Sequence, residues 1–285
     1  MIRIILAFIL SLSMQTLFAA NYAGKNQLIN SALEVYLVNV GHGDAILLKT
    51  ESKITLIDTG KADAVETTLI PFLNRLGITH IDYLILTHNH TDHIGGAKRI
   101  IESFSIGEVL TNGTKPNDSL YREVQTAISD HHLPSRVPSY REKLFVSKDI
   151  WLDFVNKEMG SYSFKDENNN SIASILNYNK LKIFLASDLE QASQKKIFSQ
   201  IKTELPSDIY KVQHHGSKKF DPDFIKAINP KDAVFSGKIY PIGFPSSKTV
   251  KILGKDVGAR LYYNDPQTIM ISSDGEKYSV GNIQN

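Results

Sequence analysis

The stretch Tyr83-Leu84-Ile85-Leu86-Thr87-His88-Asn89-His90-Thr91-Asp92-His93-Ile94-Gly95-Gly96 decides how the rest of the chain is read. Its opening is an apolar run of the kind a buried strand carries, and its close begins a helical pattern. Between the two, three histidines and one aspartate fall within six residues. Imidazole nitrogens and a carboxylate at that spacing present their lone pairs to one small volume, which is what one or two borderline transition cations require. The bland reading, a loop of incidental polar residues, does not account for the strand and helix on either side.

Bulk properties leave that reading open. The chain has 285 residues, 42% hydrophobic and 22% charged, which is ordinary for a globular protein with a sizeable core. A net charge of +2 is too small to argue for a nucleic-acid partner. There is no cysteine, so any cation must be held by His, Asp, Glu or neutral oxygen. Arg3, the apolar run 4–12 and Leu17-Phe18-Ala19-Ala20 read as a signal peptide over residues 1–20. The apolar run is shorter than the roughly 20 residues of a membrane span. The expectation is an exported protein, periplasmic or secreted, with one domain over 21–285 and no stable membrane insertion after cleavage. Its oligomeric state is not readable from these patterns.

Working outward, 33–40, 45–49 and 54–57 read as strands, 63–76 as a helix with an acidic start, 83–86 as a strand and 94–104 as a helix. Asp118 caps a helix over 118–129, and 131–140 is a loop. Strands follow at 150–155, 171–178 and 181–186, the last two joined by a tight turn at Asn179-Lys180. A helix at 191–202, a strand at 209–213, a helix at 222–228 and a strand at 233–236 lead to a loop at 240–245, a last helix and strands. Strand and helix units in both halves predict an α/β chain (α+β type): two mixed sheets packed together with helices outside. Five segments fall at predicted strand ends, where loops usually carry ligands: Asp58-Thr59-Gly60, 88–93, 168–171, Ser187-Asp188 and His214-His215-Gly216-Ser217.

Those segments, with Val40-Gly41-His42-Gly43-Asp44-Ala45, Asn169-Asn170-Ser171 and Lys211-Val212-Gln213 before the histidine pair, carry a resemblance. The chain resembles metallo-β-lactamase-fold hydrolases and, more narrowly, the C-terminal hydrolase domain of ComEC-type DNA-uptake proteins. The likeness runs over residues 33–275. It implies a four-layered αββα sandwich with two divalent cations, zinc or manganese, at one edge. On the family pattern His88 and His90 would hold the first cation, and Asp92 and His93 the second. Asp188 would bridge them, and His214 would complete the second site. His215 is the other candidate for that last place; left free, it would protonate the leaving group. Asp92 and His215 are therefore the expected catalytic residues. Asp58 would orient ligands from behind, with Asp44, Asn169, Asn170 and Ser217 as further contacts. Two cations roughly 3.5–4 Å apart share a water whose pKa falls to about 7.

Two positions depart from the pattern. Many relatives supply a third histidine to the first cation from mid-chain, but this chain has none between His132 and His214. Asn169 or Asn170 would offer an amide oxygen instead, which keeps manganese beside zinc as a candidate. Phe244 in Gly243-Phe244-Pro245 stands where ComEC-type domains tend to have His-Pro. Elsewhere Asp188 doubles as a helix cap, and Asp44 suits a tight turn. His42 and His80 read as structural or exposed, His131 and His132 as loop surface, and Lys211, Lys218 and Lys219 as a solvated flank. The expected activity is a metal-dependent phosphodiesterase or nuclease whose partner is a phosphodiester, DNA among the candidates. The same fold would also serve hydrolysis of a lactone, β-lactam or thioester, or non-catalytic binding of DNA or an envelope polymer.

Overall fold

Alternation along the strands sorts the apolar side chains into three cores, and three cores separate four layers. The computed structural model describes residues 31–237 and 243–284. The expected signal peptide and part of the 240–245 loop lie outside these residues. The first sheet comprises β1 (Leu33–Leu37), β2 (Ile46–Thr50), β3 (Ile54–Ile57), β4 (His80–Leu86), β5 (Ser105–Thr111) and β6 (Ser135–Arg136), with β14 (Thr268–Ser273) and β15 (Tyr278–Ile283). Its order is β15-β14-β1-β2-β3-β4-β5-β6. The second holds β7 (Lys143–Ser147), β8 (Ile150–Phe154), β9 (Ser174–Tyr178), β10 (Leu181–Leu185), β11 (Ile209–Lys211), β12 (Asp232–Phe235) and β13 (Arg260–Tyr263), in the order β13-β12-β11-β10-β9-β8-β7.

On β1, Leu33, Val35 and Leu37 face the core between the sheets, while Tyr36 faces the outer core of the first sheet. On β10, Leu181, Ile183 and Leu185 meet them, and Phe184 turns outward to the third core. Both faces of these strands are covered, and the only charged side chains on them, Glu34 and Lys182, are half-buried on the outer faces. The outer core of the first sheet is closed by α1 (62–75), α2 (Thr91–Ile94), α3 (Ala97–Ser103) and α4 (Ser119–Asp130). That of the second is closed by α5 (Gln191–Ile201), α6 (Pro222–Ile228) and the segment from α7 (Ser247–Lys251) to Val257. This is the αββα sandwich the resemblance implies.

Local chemistry sets the helix starts. The Asp118 carboxylate accepts the Tyr121 N–H at 2.8 Å, so the expected cap is present. Asp221 accepts from the Asp223 and Phe224 N–H groups, with Pro222 in the first turn. Three expectations change. The 94–104 helix is two pieces parted at Gly95-Gly96, the 171–178 strand begins only at Ser174, and β5, β6 and β7 went unread. No helix among the described residues is long and apolar enough to cross a membrane.

The topology places the functional segments. Strands β3, β4 and β5 run parallel, as do β10, β11, β12 and β13. The segments Asp58, 87–93, 187–190 and 213–216 all leave the carboxyl ends of such strands, the usual ligand edge of an open parallel arrangement.

Candidate metal centre

Four histidines at this edge, His88, His93, His214 and His215, are held from behind, so that the other nitrogen of each faces a common space. Asp58, fully buried, accepts the Thr87 N–H at 2.8 Å and the Thr87 hydroxyl at 2.7 Å. The Thr87 oxygen, its proton committed, lies 3.1 Å from His88 Nδ1 and accepts there. It also accepts the Ser187 hydroxyl at 2.8 Å. His93 Nδ1 donates to Asp58 at 2.7 Å. Beneath His215, Nδ1 lies 3.2 Å from the Ser236 hydroxyl and 3.6 Å from Asp44 Oδ1. His214 Nδ1 meets Glu190 at 3.1 Å. A carboxylate or hydroxyl on one ring nitrogen fixes the tautomer and leaves the other as a ligand.

The free nitrogens gather around Asp188, which is 2% exposed. Its Oδ2 lies 3.2 Å from His93 Nε2, 3.9 Å from His88 Nε2, 3.7 Å from His214 Nε2 and 3.7 Å from His215 Nε2. His215 Nε2 is also 3.4 Å from Asp92 Oδ2, and His90 Nδ1 is 3.1 Å from His88 Nε2. Ligand atoms of His88, His93 and Asp188 all fall within 4.8 Å of one another, as do those of Asp44, Asp188 and His215. Asp188 Oδ1, His93 Nε2 and His215 Nε2 are buried without a hydrogen-bond partner. Buried polar atoms are nearly always partnered, so a cluster of unpartnered acceptors with imidazole nitrogens fits a divalent cation. The donor set is nitrogen and carboxylate oxygen, suited to zinc, manganese and their neighbours.

Electrostatics agree with a dense cluster of opposite charges. Burial and the neighbouring His93 push the His88 imidazole well below its ordinary range. Burial also works against a charged His93, but Asp188 and Asp58 outweigh it and raise its pKa well above that range. Burial alone would raise Asp188; His93, His215 and His214 reverse this and keep the carboxylate far below its usual value. Burial likewise opposes the Glu190 carboxylate, yet His214, Asn168 and Lys219 bring it down to about 2. Burial and His215 lower His42 to about 4.

Backbone geometry at this edge is unusual. Asp58, Ser187, His214 and His215 have φ of 59°, 48°, 41° and 52°. Left-handed backbone at non-glycine residues is uncommon and collects at functional sites. The two consecutive positions turn both imidazoles of the histidine pair toward Asp188.

The resemblance implies His214 beside Asp92 and His93, with His215 as the other candidate for that place, and in the structure it is His215 whose Nε2 lies 3.4 Å from Asp92 Oδ2. His215 is fully buried beside Asp92, whereas the His214 side chain is 19% exposed at the rim, on Glu190. Spacing could not separate neighbours whose directions are set by two left-handed residues. The asparagines are also corrected. Asn169 accepts from the Ser193 N–H and hydroxyl, and Asn170 pairs with Tyr162 and Glu167. It is Asn168 that reaches the site, its Nδ2 3.4 Å from His214 Nδ1 and donating to Glu190 at 3.0 Å, with its side-chain oxygen Oδ1 buried and unpartnered. Ser217 closes the histidine turn, its N–H donating to the His214 carbonyl at 2.8 Å, and makes no approach to Asp188.

Four contributors escaped the sequence reading. Lys211, expected on a solvated flank, is 1% exposed and forms an ion pair with Asp44 under His215. Glu190 holds His214. Glu167, 1% exposed, accepts from the Asn89 N–H and side chain, Asn112 and Thr114, pinning the loop between His88 and His90. His42, expected to be structural or exposed, has Nε2 3.6 Å from Asp92 Oδ2. His42 and Lys211 lie inside segments that carry the resemblance, and Glu167 and Glu190 stand next to such segments, but spacing alone gives none of them a role.

Comparison with known proteins bears on the same residues. Positions 38–234 match the metallo-beta-lactamase superfamily. The chain is 28% identical over 247 residues to "ComE operon protein 3" of Bacillus subtilis, across 79% of this chain and 31% of that protein. It is 28% identical over 225 residues to "Recombination protein 2" of Haemophilus influenzae, across 77% and 26%. The chain thus spans under a third of the curated relatives it matches, in their C-terminal part. Among solved structures, YhfI of Bacillus subtilis superposes with a TM-score of 0.51 at 13% identity, covering 87% of this chain and all of that one. CmlA, a diiron β-hydroxylase of Streptomyces venezuelae, does so with 0.53 at 14%, covering 90% and 55%. Identities that low speak for the fold alone.

Proposed function

Because the chain belongs to the metallo-beta-lactamase superfamily, we propose that it is an exported metal-dependent phosphodiesterase acting on nucleic acid. The observation that carries this is the set of buried, unpartnered ligand atoms around Asp188. His88, His90 and Asp188 would hold one cation, and Asp92, His93, Asp188 and His215 the other. Cations bound there supply Lewis acidity to a phosphoryl oxygen and a nucleophile at neutral pH. Asp58 and Thr87 keep His93 and His88 turned toward the cluster. Burial opposes a proton on His214, but Asp188 and Glu190 raise its pKa. With Nδ1 on Glu190 and Nε2 facing Asp188 at the rim, it is the group placed to donate that proton to a leaving oxygen.

Nucleic acid is favoured over other esters by similarity to relatives whose names concern recombination and the ComE operon. Export is supported by Arg3 and the apolar run after it. The test is cleavage of end-labelled single- and double-stranded DNA with added manganese or zinc, with Asp188→Ala alongside. The expected result is cation-dependent cleavage that falls in the variant by more than the roughly 10–100-fold typical of losing an outer partner. Bound cation without cleavage of any phosphodiester would overturn the substrate class and pass the site to carboxylic esters. Equal turnover in Asp188→Ala would overturn the mechanism.

A further inference from the structure

His42 makes sense neither as a surface histidine nor as a packing residue. Its Nε2 lies 3.6 Å from Asp92 Oδ2, and its ring centroid is 4.6 Å from that of His215. Ligand atoms of His42, Asp92 and His215 fall within 4.8 Å of one another, a grouping separate from the one centred on His88. Its Nδ1 is buried with no hydrogen-bond partner among the described residues. The imidazole therefore sits among ligand groups without the protein hydrogen bonds that would justify it as structure.

Its placement is built into the chain. Asp44 N–H donates to the Asp92 carbonyl at 3.1 Å, and Gly60 N–H to the Asp44 carbonyl at 2.8 Å. Gly43 has φ +144°, and a Cβ there would lie 2.2 Å from the Asp92 carbonyl oxygen. Only glycine lets the loop lie this close, and the closeness ties His42 to the residue whose carboxylate it faces. A Cβ on Gly237 would sit 3.2 Å from Nδ1 of both His42 and His215. The second sheet thus leaves room for two imidazoles side by side. Phe244 flanks the same ring, with centroids 5.5 Å apart.

We infer that His42 is a further ligand of the second cation position, joining Asp92, His93, Asp188 and His215. This rests on the metal-dependent reading above and adds to it the preference of that position. Three imidazoles with carboxylates suit zinc or cobalt(II), whereas manganese prefers oxygen. The two cation positions are then unlike: the first has two imidazoles and one carboxylate, the second three imidazoles and two carboxylates.

The test is titration of metal-free protein with cobalt(II) chloride, followed by visible absorption and by metal content after desalting. Wild type, His42→Gln and Asp92→Asn are compared, with circular dichroism of each metal-free protein. The expected result is that His42→Gln keeps the first equivalent of cobalt but binds the second at least about tenfold more weakly, with an altered visible spectrum. In competition, its second position also loses its preference for zinc over manganese. A His42→Gln titration superimposable on wild type would overturn the inference and leave the metal-dependent reading standing. Wild type that takes up no cobalt or zinc would overturn both. If His42→Gln fails to fold, zinc protection of His42 from diethyl pyrocarbonate in the wild-type protein decides, read by peptide mass. Protection supports the assignment, and modification at an unchanged rate overturns it.

Discussion

Asp188 and Asp232 are both buried carboxylates of the second sheet, at opposite ends of its parallel strands. Asp232 opens β12, and its two oxygens take Arg260 Nε at 2.7 Å, Arg260 Nη2 at 2.8 Å and the Tyr278 hydroxyl at 2.7 Å. Tyr278 belongs to the first sheet, so this saturated carboxylate also ties the sheets together. Asp188, two strands away in the order and past the carboxyl end of β10, keeps Oδ1 without a partner, as do Asp44 Oδ1, His93 Nε2 and His215 Nε2 around it. One end of the sandwich spends its buried charge on holding the layers; the other leaves charge open for something the chain does not contain. The contrast separates groups that stabilise the fold from groups that await a ligand.

The strongest way to break that contrast is to open a closed pair inside the site. Lys211→Met would leave Asp44 buried without its cation. The expected loss is about 3–5 kcal/mol in the metal-free protein, as for any buried pair broken from one side. Thermal unfolding reads it, and Lys211→Met with Asp44→Asn should recover most of the loss. A drop below 1 kcal/mol would mean the pair is not buried as described.

Next comes the cation itself. Zinc at about 100 times its dissociation constant should stabilise the folded chain by about 2.7 kcal/mol, because the open atoms converge only in the native state. Asp188→Ala should abolish the increment. Asp232→Asn should lower the metal-free baseline and leave the increment intact. If both variants shift it equally, the two ends do not differ in kind.

The smallest effect sharpens the border between the classes. Burial opposes the Glu167 carboxylate, but hydrogen bonds from Asn112, Asn170, Thr114 and Asn89 outweigh it and lower its pKa. A carboxylate whose folded pKa lies below the unfolded value, about 4.3 for Glu, stabilises above that value and loses its contribution as pH falls through the folded one. Glu167→Gln should therefore cost about 1.5 kcal/mol near neutral pH. The gap from wild type should stay constant down to about pH 5 and then close. Urea unfolding from pH 7 to 3 measures it, and a gap that widens on acidification would reverse the assignment.

The local motifs were legible because their chemistry is contiguous. The run 88–93, the Ser187-Asp188 turn and the histidine pair each lie on a few residues at a strand end, and the structure brings all of them to one edge. What stayed hidden depends on direction or distance. His214 and His215 differ only in where two left-handed residues aim them. Asn168 and its neighbours differ only in the pitch of a 3-10 turn. Lys211 looks like surface charge until Asp44, 167 positions away, is folded against it. The two mixed sheets were legible from strand and helix units recurring in both halves, and the four layers from the resemblance. β7 escaped because it lies at a sheet edge, where Phe145 is 49% exposed and the apolar face is half missing.

The buried Asp44–Lys211 pair joins the first sheet to the second beside His215. Every proposed cation position draws residues from both sheets, so no half of the chain, and no partly translated or partly threaded chain, can present the full set of ligands. A cation held by these residues would therefore find its full ligand set only once the two sheets have closed on each other.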